Sequence, residues 1–531
     1  MRHLDSYLSS SSSRLAWFAA VGAALLLLLL PGLGSGDVGT HPDETLYLTI
    51  AEDMHARGAW LTPTLYGEPS FFKPPLLYWA ARLSYAALGP TMLAGRLPVA
   101  LSAAGLCLVV AALARRMFGE RAALRAALLA ASTFGVLRFG RLGMMDVPMA
   151  LSLAVAAWAA YRAEHEGRPA LLLWVGVGAG ASALLKGPVG PLLIALGAGG
   201  YLFLRARPLL FSRWTAAAFA LGAVIALPWY VASLAVHGKA FFDWFFIDEH
   251  LGKFRASGSA WTGFSYLLAG LAGMPAPWTL LLVAAAARLR PRADKRDLLV
   301  ALWAGAVLLV FSIPSVKFAH YVVAALPAFT LVLVREPLPR WARASTGVVL
   351  AAGGAVLLLV VRWPLPSVAS VSLVAGAAML GLGGVLLVRD RLAGAGASVA
   401  LAATLVFGLA LPAVLPHSYP AERLAAAGNR QLYAYTVHAA LLNDTSPRPV
   451  RRAWDADQVA AAISSGGCVA MPARAFDGLP EATRRGAVVV ERWFRLVPPS
   501  SWEALWRSWW HANLGELHEP MLLVTGSEPR S

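Results

Sequence analysis

The chain has 531 residues, of which 58% are hydrophobic and only 14% are charged, and its mean hydropathy is +0.61. Soluble domains carry about 25% charged residues, so this composition excludes an ordinary soluble protein and indicates a membrane protein. The net charge of +16 is spread over many short segments rather than one patch, which argues against a nucleic-acid partner. The two cysteines, Cys107 and Cys468, are too far apart in the sequence to suggest a cysteine metal cluster, and we predict no disulfide.

The first apolar segment is "AWFAAVGAALLLLLLPGLG" at residues 16–34, preceded by Arg2 and Arg14. It fits either a cleaved signal peptide or an uncleaved first transmembrane helix. We favour the uncleaved helix because no A-x-A cleavage site stands out. In both cases the residues that follow lie outside the cytoplasm.

Further apolar segments of membrane-spanning length follow, and we predict about thirteen transmembrane helices. They begin near residues 15, 92, 121, 146, 169, 189, 212, 262, 297, 318, 343, 367 and 393. With a cytoplasmic N-terminus, every loop assigned to the cytoplasm is short and rich in arginine, as the positive-inside rule requires. This predicts a multi-pass protein of the plasma (inner) membrane with an external C-terminus.

The loops on the external side hold most of the unusual charged residues. Two of these loops are long, at 36–91 and 234–261, and the others are brief. Ionisable residues gathered on one side of a membrane domain predict a functional site there. These residues are Asp43, Glu44, Lys73, Asp146, Lys186, Asp248, Glu249, His250, Lys253, Lys317 and His320.

The chain becomes polar near residue 415. The segment "DQVAAAISSGG" is typical of a helix ending in glycine, and "CVAMPA", "GAVVVERWFRLV" and "MLLVTG" are typical of strands. We therefore predict an all-α polytopic membrane domain over residues 1–414 and a small external α/β domain over residues 415–531.

The external stretch "THPDETLYLTIAEDMHARG" predicts an interfacial helix capped by Thr40, with Pro42 in its first turn. Asp43 and Glu44 then have two interpretations. They could simply complement the helix dipole. Alternatively, a carboxylate held at the membrane surface could act as a general base or hold a metal.

The other external charges also have a structural and a functional interpretation. Lys73, before two prolines, could snorkel or bind a phosphate, and Asp146 could cap a helix or mark a site. Lys186 could pair with a helix dipole, although external lysines oppose the positive-inside bias. Lys317, His320 and Tyr321 fall at i, i+3 and i+4, which would put them on one helical face suited to phosphate.

The segment 241–258 is either an interfacial aromatic helix or a lipid-contacting loop with cations for a phosphate.

Cofactor signals are weak. No HExxH-like spacing occurs, so we predict no defined metal site, although a divalent metal held by Asp43, Glu44, His41 or His250 stays an alternative. No convincing P-loop, GxSxG or dinucleotide fingerprint is found, which disfavours ATP or NAD chemistry.

Taken in order, these motifs resemble the superfamily of integral-membrane glycosyltransferases (GT-C fold) that contains the aminoarabinose transferase (ArnT) and the protein O-mannosyltransferases. The resemblance covers roughly residues 15 to 335. It depends on the Asp43-Glu44 pair, "FFKPPLLYW", the Asp146 loop, "LLKGP", "ALPWYV", "FFIDEHLGKF" and "SVKFAHYVVAALPA".

The resemblance implies roles for individual residues. Asp43 and Asp146 match the acids implicated in catalysis, and Lys73 matches a residue near the donor phosphate. Tyr47 matches a tyrosine near the acid pair. The positions that resemble contacts to the donor phosphate or its lipid are Lys186, His250, Lys317 and Tyr321, and we add Glu44 and Tyr47 to this donor-binding set.

Two positions depart from the aminoarabinose enzymes. Phe72 replaces a glutamate before the KPP motif, and Leu46 replaces the arginine of "DETRY". Both lie near the expected donor site, so the sugar and the acceptor do not follow from the resemblance.

The function implied is an inverting transfer of a sugar from a polyprenyl-phosphate donor to a lipid, glycan or protein acceptor on the outer face of the membrane. The expected partners are that donor, the acceptor and the bilayer. The lysines would offset charge on the leaving phosphate, and Asp43 or Asp146 would orient or deprotonate the acceptor. The alternatives are a flippase or transporter of an anionic amphiphile, which predicts midspan charges and related halves, and a non-catalytic assembly protein.

Overall fold

The structure is a computed structural model that describes most of the chain. The residues described are 11–35, 41–65, 67–252, 260–315, 317–335, 337–362, 365–414, 421–435, 442, 446, 450–453, 455–496 and 518–526. Up to residue 414 the secondary structure is almost entirely helical, because the sequence is a succession of apolar runs with few strand-forming alternations. A small mixed sheet follows.

In the first half of the helical part, two short helices follow the first apolar helix. The first of them contains the predicted site residues Asp43 and Glu44. A two-stranded antiparallel ribbon, β1 (Thr64–Leu65) and β2 (Glu68–Pro69), separates the two helices. The helices are α1 (Ser11–Leu29), α2 (Pro42–Ala56), α3 (Leu76–Leu88), α4 (Met92–Phe118), α5 (Glu120–Ser132), α6 (Phe134–Phe139), α7 (Asp146–His165), α8 (Leu173–Lys186), α9 (Val189–Ile194), α10 (Gly200–Arg205), α11 (Arg207–Leu210) and α12 (Arg213–Phe242).

The second half continues the bundle. Short 3-10 turns cover Pro169–Leu172, Ala319–Ala325 and Ala425–Ala427, and π-helical turns cover Ala195–Gly199, Asp243–Leu251 and Thr404–Ala410. The α-helices are α13 (Ala260–Gly273), α14 (Thr279–Ala286), α15 (Lys295–Ser312), α16 (Leu326–Leu333), α17 (Arg340–Val360), α18 (Ser367–Val388), α19 (Leu392–Ala403), α20 (Leu411–Val414) and α21 (Ala421–Leu424).

The helix pattern agrees with the sequence. Each of the predicted span starts lies within about one helical turn of the start of a helix or 3-10 turn. Within the described residues, six helical segments are long and apolar enough to cross a membrane, and four shorter apolar segments accompany them. The protein is thus a polytopic membrane protein, while the number and direction of its crossings remain predictions.

The C-terminal part is a five-stranded mixed sheet in the order β4-β3-β5-β7-β6. The predicted helix is confirmed as α22, and each of the three predicted strands is present. Its elements are β3 (Leu432–Tyr435), β4 (Arg451–Ala453), α22 (Ala456–Ser464), β5 (Cys468–Pro472), α23 (Ala473–Asp477), α24 (Glu481–Arg485), β6 (Ala487–Leu496) and β7 (His518–Gly526).

The sheet packs against the end of the bundle that carries α2. Leu48 of α2 and Met92 of α4 share a buried cluster with Leu432, Trp493 and Leu523 of the sheet. This contact puts the C-terminal domain at the same end of the bundle as Asp43.

Candidate functional site

Asp43 lies in the first turn of α2, where the helix presents it near the bundle end. The predicted cap, Thr40, is wrong, because the helix begins at Pro42 and its N-cap is His41, whose Nδ1 accepts a hydrogen bond from the Asp43 N–H at 3.2 Å. The Asp43 side chain is 40% exposed, and its carboxylate lies 3.9 Å from the His41 Nδ1. The His41 ring is 5.3 Å from that of His320. Asp43 is therefore accessible, with the His41 imidazole beside it.

Glu44 points in another direction, since successive helical residues differ by about 100° around the axis. Its side chain is fully buried, and Arg96 binds both carboxylate oxygens, at 2.7 and 3.0 Å. The Gly143 N–H donates to the same carboxylate at 2.6 Å. Glu44 therefore ties α2 to α4 and to the loop just before Asp146, which suits a positioning role better than the donor contact expected from the sequence.

Arg96 had no place in the sequence interpretation. Besides Glu44, it donates to the carbonyl oxygens of Leu33 and Ser35 at 3.0 and 2.7 Å, so it also fixes the chain that leaves α1. A signal for it was present: an arginine one turn into an apolar helix must find an acid or carbonyl partner. What the sequence could not supply was which acid.

Asp146 and Lys186 meet across two helices. Asp146 is the first residue of α7 and makes no side-chain cap, so the helix-cap interpretation does not describe it. Its carboxylate is buried and accepts a hydrogen bond at 2.6 Å from the Nζ of Lys186, the last residue of α8. The same Nζ lies 5.5 Å from the centre of the Tyr321 ring. The dipole-partner interpretation of Lys186 is thus also insufficient.

Lys73 is held by the long external loop. Its Nζ donates to the Phe72 carbonyl oxygen at 2.9 Å and forms an ion pair with Glu249. Both charged side chains are largely buried, at 16% and 15% exposure. Glu249 is one of the external charges but not one of the predicted site residues, because only the folded π-helical turn brings it to Lys73.

His250 packs against Gly187, the residue that follows Lys186. Its Nδ1 lies 2.6 Å from the Phe245 carbonyl oxygen. Gly187 has a positive φ of 72°, and a Cβ added there would lie 2.6 Å from the His250 Nε2. The imidazole therefore packs directly on the backbone that follows Lys186.

An aromatic cluster supports the loop that carries Glu249 and His250. Phe241 and Phe245 are stacked with ring centres 5.5 Å apart, and both are buried against Trp229. Phe241 and Phe245 are thus packed inside the protein, whereas Phe242 is 45% exposed. Lys253, one of the external charges expected near the site, lies outside the described residues, as does Arg255 of the same segment.

Lys317 differs from the other lysines. It is only 8% exposed, and within the described ranges it forms no ion pair. The expectation that it shares a helical face with His320 and Tyr321 is wrong, because the 3-10 turn begins at Ala319, after Lys317. The Tyr321 ring stacks on Phe311 with a centre distance of 4.5 Å.

Tyr47 is buried, and the charges of three acids of the site affect its pKa. Its ring centre is 6.3 Å from that of Tyr78. Burial raises the pKa of Tyr47 well above its usual range, and the negative charges of Asp43, Asp146 and Glu249 raise it further. Tyr47 is thus a neutral phenol within the electrostatic influence of three carboxylates.

The structure gathers most of the predicted residues at one end of the bundle. The combination is an accessible acid, a buried acid paired with a lysine, and two further cations, which together can bind an anion next to a proton acceptor. Among the residues described, no group of three or more His, Cys, Asp or Glu side chains is arranged to hold a metal ion.

A family model matches a part of the chain that contains several of these residues. The model of the dolichyl-phosphate-mannose-protein mannosyltransferases matches residues 72–231. That range contains Lys73, Asp146 and Lys186, but not Asp43 or Lys317.

Curated relatives extend the likeness over more of the chain. The undecaprenyl phosphate-alpha-4-amino-4-deoxy-L-arabinose arabinosyl transferase 1 of Pseudomonas fluorescens (strain Pf0-1) is 29% identical over 367 residues, which is 67% of this chain and 63% of that protein. The undecaprenyl phosphate-alpha-4-amino-4-deoxy-L-arabinose arabinosyl transferase of Pseudomonas aeruginosa (strain LESB58) is 31% identical over 326 residues. The match covers 59% of this chain and 58% of that protein. The chain therefore matches somewhat less than two thirds of these relatives' length.

A solved structure has the same fold. The crystal structure of ArnT from Cupriavidus metallidurans bound to undecaprenyl phosphate superposes with a TM-score of 0.73 over 97% of this chain and 98% of that chain. The sequences are 20% identical over this match, so the likeness establishes a common architecture, including the C-terminal domain.

Proposed function

Because the chain belongs to the superfamily of integral-membrane glycosyltransferases that contains the aminoarabinose transferases and the protein O-mannosyltransferases, we propose that it transfers a sugar from a polyprenyl-phosphate donor to a lipid, glycan or protein acceptor. The observation that carries the proposal is Lys317, an ammonium 8% exposed that has no ion-pair partner in the described part of the chain. A buried charge is costly unless it is compensated, and an anionic donor phosphate would compensate it.

In this proposal the donor phosphate lies between Lys73, Lys186 and Lys317. The charge that develops on the leaving phosphate is offset by these cations in a site of low exposure, where electrostatic stabilisation is strong. Lys73 and Lys186 each already have a carboxylate, so they contribute less net charge than Lys317 does. Attack on the sugar from the side opposite the phosphate breaks the bond to the phosphate oxygen and inverts the sugar carbon.

Asp43 is the better candidate for the base. It is accessible and has no lysine or arginine partner among the described residues, whereas Asp146 is buried and bonded to Lys186. A hydroxyl acceptor would give its proton to Asp43 as the new bond forms. Asp146 would instead hold Lys186 in place.

The proposal includes an orientation. We assign the N-terminus to the cytoplasm and the site and the C-terminal domain to the extracytoplasmic side of the membrane. The arginine-rich loops support this assignment, and the cluster shared by Leu48 and Met92 with the sheet supports a common side for the site and the C-terminal domain.

The test is transfer of labelled sugar from a panel of polyprenyl-phosphate donors in membranes containing wild type, Asp43→Asn or Asp390→Asn. Asp390 is a 66% exposed acid in the loop between α18 and α19 and serves as the matched control. We expect the control to retain activity and Asp43→Asn to lose about 100-fold or more. Full activity in Asp43→Asn would transfer the role of base to Asp146. If wild type used no donor, the proposal would fail and a transporter would become the better hypothesis.

A further inference from the structure

A second charged pocket lies at the opposite end of the bundle. It is lined by Arg288 and Arg290, which precede α15, and by Arg335 and Pro337, which follow α16, and its volume is about 390 Å³. We call these four residues the basic pocket. The segment from Lys317 through α16 to Arg335 crosses the bundle, so the basic pocket and the proposed donor site are at opposite ends of it.

The charges of the basic pocket are only partly neutralised. Asp297, whose side chain is buried, forms an ion pair with Arg335 and accepts a hydrogen bond at 2.7 Å from the backbone N–H of Arg290. The Arg288 guanidinium donates to the Pro337 carbonyl oxygen. In the described part of the chain, the guanidinium groups of Arg288 and Arg290 have no carboxylate partner. Glu336, which stands between Arg335 and Pro337 in the sequence, is not among the described residues.

Apolar surface continues from the basic pocket along the bundle. Helices α14 and α17 pack against each other beside it. Val283 of α14 is 62% exposed, and Trp341 and Val348 of α17 are 59% and 68% exposed. Exposed tryptophans favour the depth of lipid headgroups. The arginines thus end an apolar face, which is the arrangement that fits a molecule with acyl chains and an anionic head.

We propose that the basic pocket binds the phosphodiester headgroup of an anionic phospholipid, with acyl chains along the exposed faces of α14 and α17. Guanidinium groups are suited to bidentate contacts with phosphate oxygens, and basic pockets between transmembrane helices recognise anionic headgroups. This lipid is distinct from the polyprenyl donor, and the proposal does not depend on the transfer activity.

The experiment measures binding of phosphatidylglycerol and phosphatidylcholine to the full-length protein in neutral detergent, by native mass spectrometry. The test variant is Arg288→Gln/Arg290→Gln. It leaves the Asp297–Arg335 pair and the Arg290 backbone N–H in place, so we expect it to fold. The matched control is Arg205→Gln/Arg207→Gln, which removes two exposed arginines where α10 ends and α11 begins.

We expect wild type and control to prefer phosphatidylglycerol, and the test variant to bind it about tenfold more weakly or worse, since each basic side chain near an anionic surface contributes about fivefold. Equal losses in test and control variants would mean general surface attraction and would overturn the proposal. Equal binding of both lipids by wild type would also overturn the proposal. The same holds if millimolar inorganic phosphate displaced phosphatidylglycerol as effectively as added phospholipid does. If the double variant does not fold, Arg290→Gln alone is measured against the same control.

Discussion

The two ends of the helical bundle organise their charges differently. At the end away from Asp43, most of the described acids are paired with a base, and the guanidinium groups of Arg288 and Arg290, which have no carboxylate partner within the described ranges, are exposed. The hydrogen bond from Arg296 holds the pKa of Asp294 below its usual range, and Arg162 does the same for Glu166. The pairs are Glu164–Lys295 at 2.9 Å, Asp294–Arg296 at 2.6 Å, Glu166–Arg162 at 2.7 Å and Asp297–Arg335.

At the end that carries Asp43, pairing is incomplete. Glu44 with Arg96 and Asp146 with Lys186 are matched, but Asp43 has only an imidazole nearby and Lys317 is buried without a carboxylate among the described residues. Charges that only stabilise a fold are satisfied within it. Charges left over in a low-exposure site reduce stability and are retained where a ligand compensates them.

The largest expected effect comes from breaking the matched pair at the site end. Arg96→Met leaves the Glu44 carboxylate buried and unpaired, so we expect a loss of about 3–5 kcal/mol in the free energy of unfolding. Equilibrium unfolding in detergent measures it. Arg485→Met, at an exposed pair with Glu481, serves as control and should change stability by about 0.5 kcal/mol or less.

The double variant Glu44→Leu/Arg96→Met sharpens that result. Removing both charges should recover much of the stability, because no uncompensated ion remains. If single and double variants were equally unstable, then packing rather than the ion pair would connect α2 to α4.

The second prediction compares one lysine from each end. Lys317→Met should leave stability unchanged or raise it, since an uncompensated buried charge is removed, while sugar transfer falls by about 100-fold. Lys295→Met should reduce stability by about 1 kcal/mol or less, because its pair with Glu164 is partly exposed, and should keep transfer. Unfolding and transfer assays on both variants check this. A clear loss of stability in Lys317→Met would refute the contrast between the two ends.

The third prediction concerns the backbone next to Lys186. Gly187 and Gly58 both have a positive φ near 70°, but a Cβ at Gly58 would meet nothing within 4 Å. Gly58→Ala should therefore show only the backbone cost of about 1–2 kcal/mol. Gly187→Ala should cost more, because its φ of 72° and ψ of −151° are adopted essentially only by glycine, and it should also displace His250, with a fall in transfer of up to about 100-fold. Equal transfer in the two variants would mean that the position of His250 does not affect the reaction.

The sequence predicted the helices well, because apolar runs and arginine-rich loops are local signals. It also predicted that Asp43, Asp146, Lys73 and Lys186 would lie on one side of the membrane. The structure brings them to one end of the bundle, and the side of the membrane stays a prediction. Pairings such as Asp146–Lys186 and Lys73–Glu249 join residues far apart in the chain, and local patterns contain no information about them.

The Asp43-Glu44 pair illustrates the limit most directly. Two adjacent acids look equivalent in a sequence, yet the helical rotation of about 100° turns one toward solvent and the other into the bundle. Which one turns inward depends on Arg96 and Gly143, which belong to other segments. The division into a candidate base and a positioning residue therefore required the folded structure.

The measurement that tests the central claim most directly is the binding affinity of undecaprenyl phosphate for purified wild type, Lys317→Met and Lys295→Met. If the uncompensated charge at the site end exists to hold the donor phosphate, Lys317→Met should weaken binding by about tenfold or more, and Lys295→Met should bind as wild type does. Wild-type affinity in Lys317→Met would contradict the account, because the phosphate would then bind without the one buried lysine that the structure leaves unpaired in its described part.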